Sequence, residues 1–186
     1  LARSLGARVF STDASKAAQM NAGAAASGGD VLLFLHADTH LPDNFDVKVM
    51  AAVNQDGFCA GAFSLGIDAQ VRGLRFIERV ANWRSRFFQM PYGDQALFVR
   101  RDLFNKIGGF PDFPIMEDFE LIRRLRRKGK ITILPESVLT SPRRYLNFGI
   151  FKAWFLNQII IAAYFMGIAP ERLARWYRRE KGNPGN

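Results

Sequence analysis

The chain has a single cysteine, Cys59. One thiol cannot close an intrachain disulfide, so a disulfide-stapled secreted scaffold is excluded and a reducing compartment is the expectation. Acids are also scarce: 17 Asp and Glu stand against 26 Lys and Arg, a formal charge of +9. No internal repeat or low-complexity segment is visible, and no recognised nucleic-acid motif accompanies the positive charge. No Gly-rich phosphate loop with a basic residue near its amino terminus is present, as a sugar-nucleotide nucleotidyltransferase would require. The opening residues do not have the pattern of a signal peptide. The chain starts on Leu1 rather than Met; missing upstream residues are expected, an unusual start codon or trimming being the alternatives.

With 186 residues, 48% of them hydrophobic and 23% charged, the chain has globular composition and enough length for a sizeable core. The excess of cations favours anionic partners, which are nucleotide phosphates, nucleic acid or an anionic membrane surface.

The central stretch is Val31-Leu32-Leu33-Phe34-Leu35-His36-Ala37-Asp38-Thr39. Five apolar residues in a row after Gly28-Gly29-Asp30 read as a buried strand of a parallel sheet. Ligands of open α/β sheets bind beyond the carboxyl ends of such strands, where Asp38 lies. The plainer reading is that Asp38 or Thr39 caps a following helix. Ala14 to Ser27 is alanine-rich and helical, ended by Gly28-Gly29. Leu1 to Phe10 reads as a helix end, a glycine turn and a short strand.

Further along, Phe45–Val53 fits a short helix and 57–67 one or two strands, whose glycines point to a bulge or a close backbone approach. From Val71 to Phe88 apolar residues recur at helical spacing, and five arginines make the segment basic; a solvated face is the ordinary reading of such a run. A turn at 90–95 precedes a strand at 96–99. A short helix then stops at Gly108-Gly109, and a loop with Pro111 and Pro114 leads to a helix from Met116 to about Lys128. Ile131–Leu134 and Val138–Thr140 are expected as two short strands, and Ser141 to Tyr145 as a basic turn.

Ile150 to Ala169 is a mostly apolar run of spanning length, but adjacent Asn157 and Gln158 would be costly in lipid. Buried, interfacial and spanning placements stay open for it. Glu171 to Lys181 is amphipathic, with Arg172, Arg175, Arg178 and Arg179 on one face, the composition of a helix lying at a membrane interface. Two regions are expected: 1–147 as the main domain and 148–186 as a helical extension, with a membrane interface as one placement for it and a frayed end over Gly182 to Asn186.

Three acidic positions fall at turns: Asp38, Asp94 and the pair Glu117-Asp118. Carboxylates gathered at one sheet edge can hold a divalent metal and supply a general base. Each is also an ordinary turn or helix-start residue.

Their surroundings are more specific. Gln19 to Ala24, Ala26 to Asp30, and the apolar strand with His36-Ala37-Asp38 resemble the centre of a family 2 glycosyltransferase of the GT-A type. Arg100-Arg101, Ile107-Gly108-Gly109-Phe110, Glu117-Asp118-Phe119-Glu120-Leu121 and Arg124-Leu125 are similar to the acceptor-side half of that family. His36-Ala37-Asp38-Thr39, Pro91 to Ala96 and Thr140 to Tyr145 resemble a bacterial subgroup. The likeness covers roughly residues 14–145.

The resemblance implies a mostly parallel, Rossmann-like α/β sheet flanked by helices, and an inverting transfer of sugar from a nucleotide-diphospho-sugar to an acceptor hydroxyl. It implies Asp118 as general base, with Glu117 orienting the acceptor or the loop. Lys16, Asp38, Arg143 and Arg144 are implied as donor or diphosphate ligands, and Asp94 and Gln95 as sugar or acceptor contacts. Asp38 matches the last carboxylate of the family's metal-binding DxD motif, with His36 where its first aspartate usually stands; Mn²⁺ or Mg²⁺ is the implied metal, and a histidine ligand suits Mn²⁺ better. Ser141 and Tyr145 replace the Gln and Trp of the processive relatives' motif. The family's amino-terminal nucleotide-binding segments are not visible, so a catalytically incomplete fragment is one alternative and a basic membrane-surface module another. A cytoplasmic location, peripheral at the inner face of the membrane, and a lipid-linked or cell-envelope acceptor agree with the tail.

Overall fold

The computed structural model describes residues 2–11 and 15–182. Leu1, Thr12 to Ala14, and 183–186, including most of the expected frayed end, lie outside the described residues. After a 3-10 turn at Arg3–Leu5, the elements in chain order are α1 (Lys16–Ala26), β1 (Val31–Phe34), β2 (Thr39–His40), α2 (Phe45–Val53) and β3 (Phe58–Ile67). Then come α3 (Arg72–Phe88), a 3-10 turn at Gly93–Gln95, β4 (Leu97–Arg100), α4 (Arg101–Lys106) and α5 (Glu117–Arg126). The chain finishes with β5 (Lys130–Thr140), α6 (Arg143–Phe148), α7 (Ile150–Phe165) and α8 (Pro170–Gly182).

Most expected elements are present within a residue or two. Ala7 to Phe10 is not a strand; it finds no sheet partner, and Val9 and Phe10 stay exposed. The two short strands expected at 131–140 are one strand, β5, and the basic turn at 141–145 opens α6.

The α/β class holds, with a five-stranded sheet in the order β1-β4-β3-β5-β2. The expected mostly parallel sheet is corrected. Only β3 and β5 pair in parallel, while β1–β4, β3–β4 and β2–β5 are antiparallel. The physical reason is the insertion of β4, running the opposite way, between β1 and β3. β1, β3 and β5 still share one direction, so their carboxyl ends lie along one side of the sheet.

Strand alternation divides the core. Leu97 and Val99 face a cluster built with α1, α5, α7 and α8, whereas Phe98 between them faces a second cluster with Val49, Ala52 and Val53 of α2. The close approach read from the glycines of β3 is at Gly61, where any Cβ would overlap the Phe98 ring. A third cluster packs Leu74, Ile77 and Ala81 of α3 on Leu65 and Ile67.

The carboxyl-terminal helices share the first cluster through Ile160, Ala163 and Leu173. Tyr164 of α7 donates to Glu120 of α5 at 2.8 Å, and the same carboxylate takes both Arg123 and Arg124. Among the described residues no helix is long and apolar enough to cross a membrane. α7 has 16 residues and ends at a turn where Gly167 takes φ +83°.

Candidate functional site

The strand directions bring distant turns together. Because β4 is antiparallel to β1, its start meets the end of β1, with Leu97 opposite Phe34. The turn Leu35–Asp38 and the turn Gly93–Gln95 are therefore neighbours. β2 pins the first turn to the end of β5: Thr39 pairs with Thr140, their hydroxyls are 3.1 Å apart, and the Ser141 N–H donates to the Asp38 carbonyl at 3.0 Å. That places Asp38 beside the start of α6.

The amino terminus of α5 completes the site. The Gly93 N–H donates to Asp118 Oδ2 at 2.6 Å, and the Phe119 N–H donates to Oδ1 at 2.8 Å. Each carboxylate oxygen is thus fixed by a backbone amide. Buried Glu117 pairs with half-exposed Lys16 at 2.9 Å, joining α1 to α5. α1 is also tied to the loop before α5, since the Asn21 side chain both donates to and accepts from the backbone of Phe110. Two non-glycine residues flank the site with left-handed backbone, Ala96 at φ +49° and Met116 at φ +70°. Such strain concentrates at functional sites.

A cavity of about 270 Å³ opens here, and Lys16, His36, Asp38, Asp94, Glu117, Asp118 and Arg144 all line it. Seven of the nine residues singled out from the sequence therefore converge. The other two do not face it. Gln95 is wholly buried and its amide is spent on structure, accepting from Ser85 and from the Tyr92 N–H and donating to the Phe63 carbonyl. Arg143 is exposed and turned to the Ser141 hydroxyl at 3.2 Å. A second cavity of about 430 Å³ shares Lys16, His36 and Asp118 with the first and continues between α1 and β1 along Met20, Val31 and Leu33.

Three further side chains, which the motifs do not mark, line or support the cavity. Asn157, met as a polar interruption in an apolar helix, lines the cavity and accepts from Arg144 at 2.6 Å. That interruption was the available signal. Tyr177 of α8 lies under the Arg144 guanidinium, 5.2 Å from it. Arg84, one of the arginines read as a basic surface, turns inward and sits 3.4 Å above the Tyr92 ring.

Burial and neighbouring charges tune the site. Burial works against the Lys16 charge, but Asp118, Glu117 and Asp94 outweigh it and hold the ammonium pKa above its ordinary value. Burial, aided by Lys16, holds His36 below the usual imidazole value against the pull of Asp94, Asp118 and Asp38, so the ring is neutral at neutral pH. Burial pushes the Asp94 carboxyl up, and Asp118 adds to this against the opposing charge of Arg84. The Tyr145 phenol is pushed up to about 12, chiefly by burial.

His36 Nε2 and Asp94 Oδ1 are shut off from solvent without a hydrogen-bond partner. Among the described residues no three His, Cys, Asp or Glu side chains are gathered closely enough to enclose a metal by themselves. A neutral imidazole with an orphaned nitrogen, next to the exposed Asp38 carboxylate, does fit a divalent ion that takes its remaining ligands from a bound diphosphate. No family model matches the chain, and neither does any curated protein.

Proposed function

We propose that this chain carries the catalytic centre of an inverting glycosyltransferase of the GT-A type, using a nucleotide-diphospho-sugar donor. The observation that carries the reading is Asp118: a carboxylate with both oxygens oriented by backbone amides, at the carboxyl ends of three co-directional strands, facing a cavity that also holds Lys16 and Arg144. The order of motifs along the chain supports the same reading.

In this reading the acceptor hydroxyl lies against Asp118. As its oxygen forms a bond to the anomeric carbon, the proton passes to the carboxylate and the bond from that carbon to the diphosphate breaks. The electron pair leaves on the diphosphate oxygen, and displacement from the opposite face inverts the centre. Lys16 and Arg144 stabilise the departing charge. Asp94, with an unpartnered oxygen, accepts a hydrogen bond from a sugar hydroxyl. His36 and Asp38 would hold the Mn²⁺ or Mg²⁺ that neutralises the diphosphate when bound. The nucleoside lies along the apolar cavity between α1 and β1.

The test is release of nucleoside diphosphate from a panel of sugar nucleotides with Mn²⁺, using protein expressed from its complete reading frame. One donor is expected to be turned over, and Asp118→Asn to abolish turnover while donor binding persists. Folded protein that releases nothing from any donor, or an Asp118→Asn variant with undiminished turnover, refutes the reading.

A further inference from the structure

α8 has little apolar surface left to give a membrane. Its Leu173 is fully buried, Ala174 is nearly so, and among its described side chains only Trp176 is exposed, large and apolar. A larger group of exposed aromatics lies on α3. Phe76, Trp83 and Phe87 of α3 are 49%, 58% and 71% exposed, and Phe88 also stays in solvent. Positions 76, 83 and 87 recur at helical spacing and share one side of the helix. Trp83 stacks on Phe87 with ring centroids 5.4 Å apart, and Phe88 meets both edge-on.

This stripe runs on into α7. Phe76 packs edge-on against Trp154 at 6.5 Å, and Phe151, 61% exposed, lies beside Gly73. Burying such a surface is favourable, and a stripe of this extent marks an interaction site.

The flanking charge selects the occupant. Arg72, Arg79 and Arg86 are exposed and spaced seven residues apart, forming a cationic row along the aromatic one. α3 has no exposed acid: its single carboxylate, Glu78, is buried and paired with Arg75. Between α3 and the sheet, Arg79, Trp83, Arg86 and Phe87 together with Ser64 and Ser137 line an open groove of about 580 Å³. The guanidinium groups there suit a phosphate headgroup, and the aromatics suit the adjoining acyl boundary.

We propose that the outer face of α3, continued by Phe151 of α7, docks this protein on an anionic phospholipid surface. The aromatic rings enter the headgroup boundary, and the arginine row meets lipid phosphates. α7 links this face to the catalytic cavity, because Trp154 touches α3 while Asn157 and Ile160, within two turns of it, line the cavity. The inference does not depend on the transferase reading, and its test involves no turnover.

The test is co-sedimentation of the whole chain with vesicles of phosphatidylcholine alone or with about 30% phosphatidylglycerol. Binding is expected only with the anionic lipid and is expected to weaken as salt rises. Two variants probe the face. Trp83→Ser with Phe87→Ser removes exposed rings, and Arg72→Glu with Arg79→Glu reverses charge; their melting profiles report folding. Each is expected to lower partitioning about tenfold or more, whereas Arg172→Ser with Arg175→Ser on α8 lowers it by less. Absence of binding to anionic vesicles overturns the proposal, as does equal binding by the wild type and both α3 variants. Concentration-dependent self-association abolished by the same substitutions also overturns it, since the face would then belong to a second copy of the chain.

Discussion

Gly93 donates its backbone N–H to Asp118 Oδ2 at 2.6 Å, so a turn before β4 and the first turn of α5 are joined through the proposed general base. The contact requires glycine. A Cβ at position 93 would stand 2.8 Å from that oxygen and 3.1 Å from His36 Nε2. Gly93→Ala is therefore expected to displace Asp118. Turnover should fall by at least about tenfold, for a stability loss of about 1–3 kcal/mol from overpacking. Nucleoside diphosphate release and thermal melting check this together; unchanged turnover would mean that the carboxylate is not held where the mechanism needs it.

Lys16 and Glu117 test how α1 is fastened to α5. Lys16→Met leaves a buried carboxylate without its cation. A loss of about 1–3 kcal/mol is expected, below the cost for a fully buried pair because Lys16 is half-exposed. Adding Glu117→Gln removes the stranded charge, so the double variant should be more stable than the sum of the single losses predicts. Urea unfolding of the four proteins in the cycle gives the coupling directly, and strict additivity would show that the pair is not coupled.

Glu120 sets an acid limit on stability. Burial opposes its charge, but hydrogen bonds from Arg123, Tyr164 and Arg124 overcome this and lower the carboxyl to about 2, from an ordinary value of 4.5. The folded state thus favours the ionised form. The stabilisation is complete above pH 4.5 and is lost as the pH falls towards 2. It amounts to roughly 3 kcal/mol as an upper bound, because the arginine partners are partly solvated. Between pH 5 and 2 the wild type should lose melting temperature faster than Glu120→Gln, as scanning calorimetry would record. Parallel curves would remove Glu120 as the lock between α5 and α7.

Arg84 and Arg79 are five residues apart on one helix, with different surroundings. Arg84 covers the Tyr92 ring and donates to the Met90 carbonyl at 3.2 Å, whereas Arg79 is exposed. Arg84→Met is expected to cost about 1–2 kcal/mol and Arg79→Met less than about 0.5 kcal/mol, measured by denaturant unfolding. Equal costs would place Arg84 among the solvated arginines.

What local chemistry controls is legible along the chain. Periodicity and breakers located nearly every element, because apolar spacing and glycine act within a few residues. The order of motifs also marked seven residues that meet in one cavity. The remaining features arise only from packing. β4 entered the sheet against the direction of its neighbours because strand pairing is set by the whole fold, and no spacing within β1 or β4 records it. Gln95 was absorbed into the core and Arg84 drawn over Tyr92 because the partners that claim them, Phe63, Ser85 and Tyr92, are fixed only when α3, β3 and the 93–95 turn pack together. The apolar side of α8 was likewise largely taken up by the core through Leu173 and Ala174, whereas α3 keeps a stripe of exposed aromatics. Amphipathicity states that a helix has an apolar face; only packing assigns that face to the protein interior or leaves it to another surface.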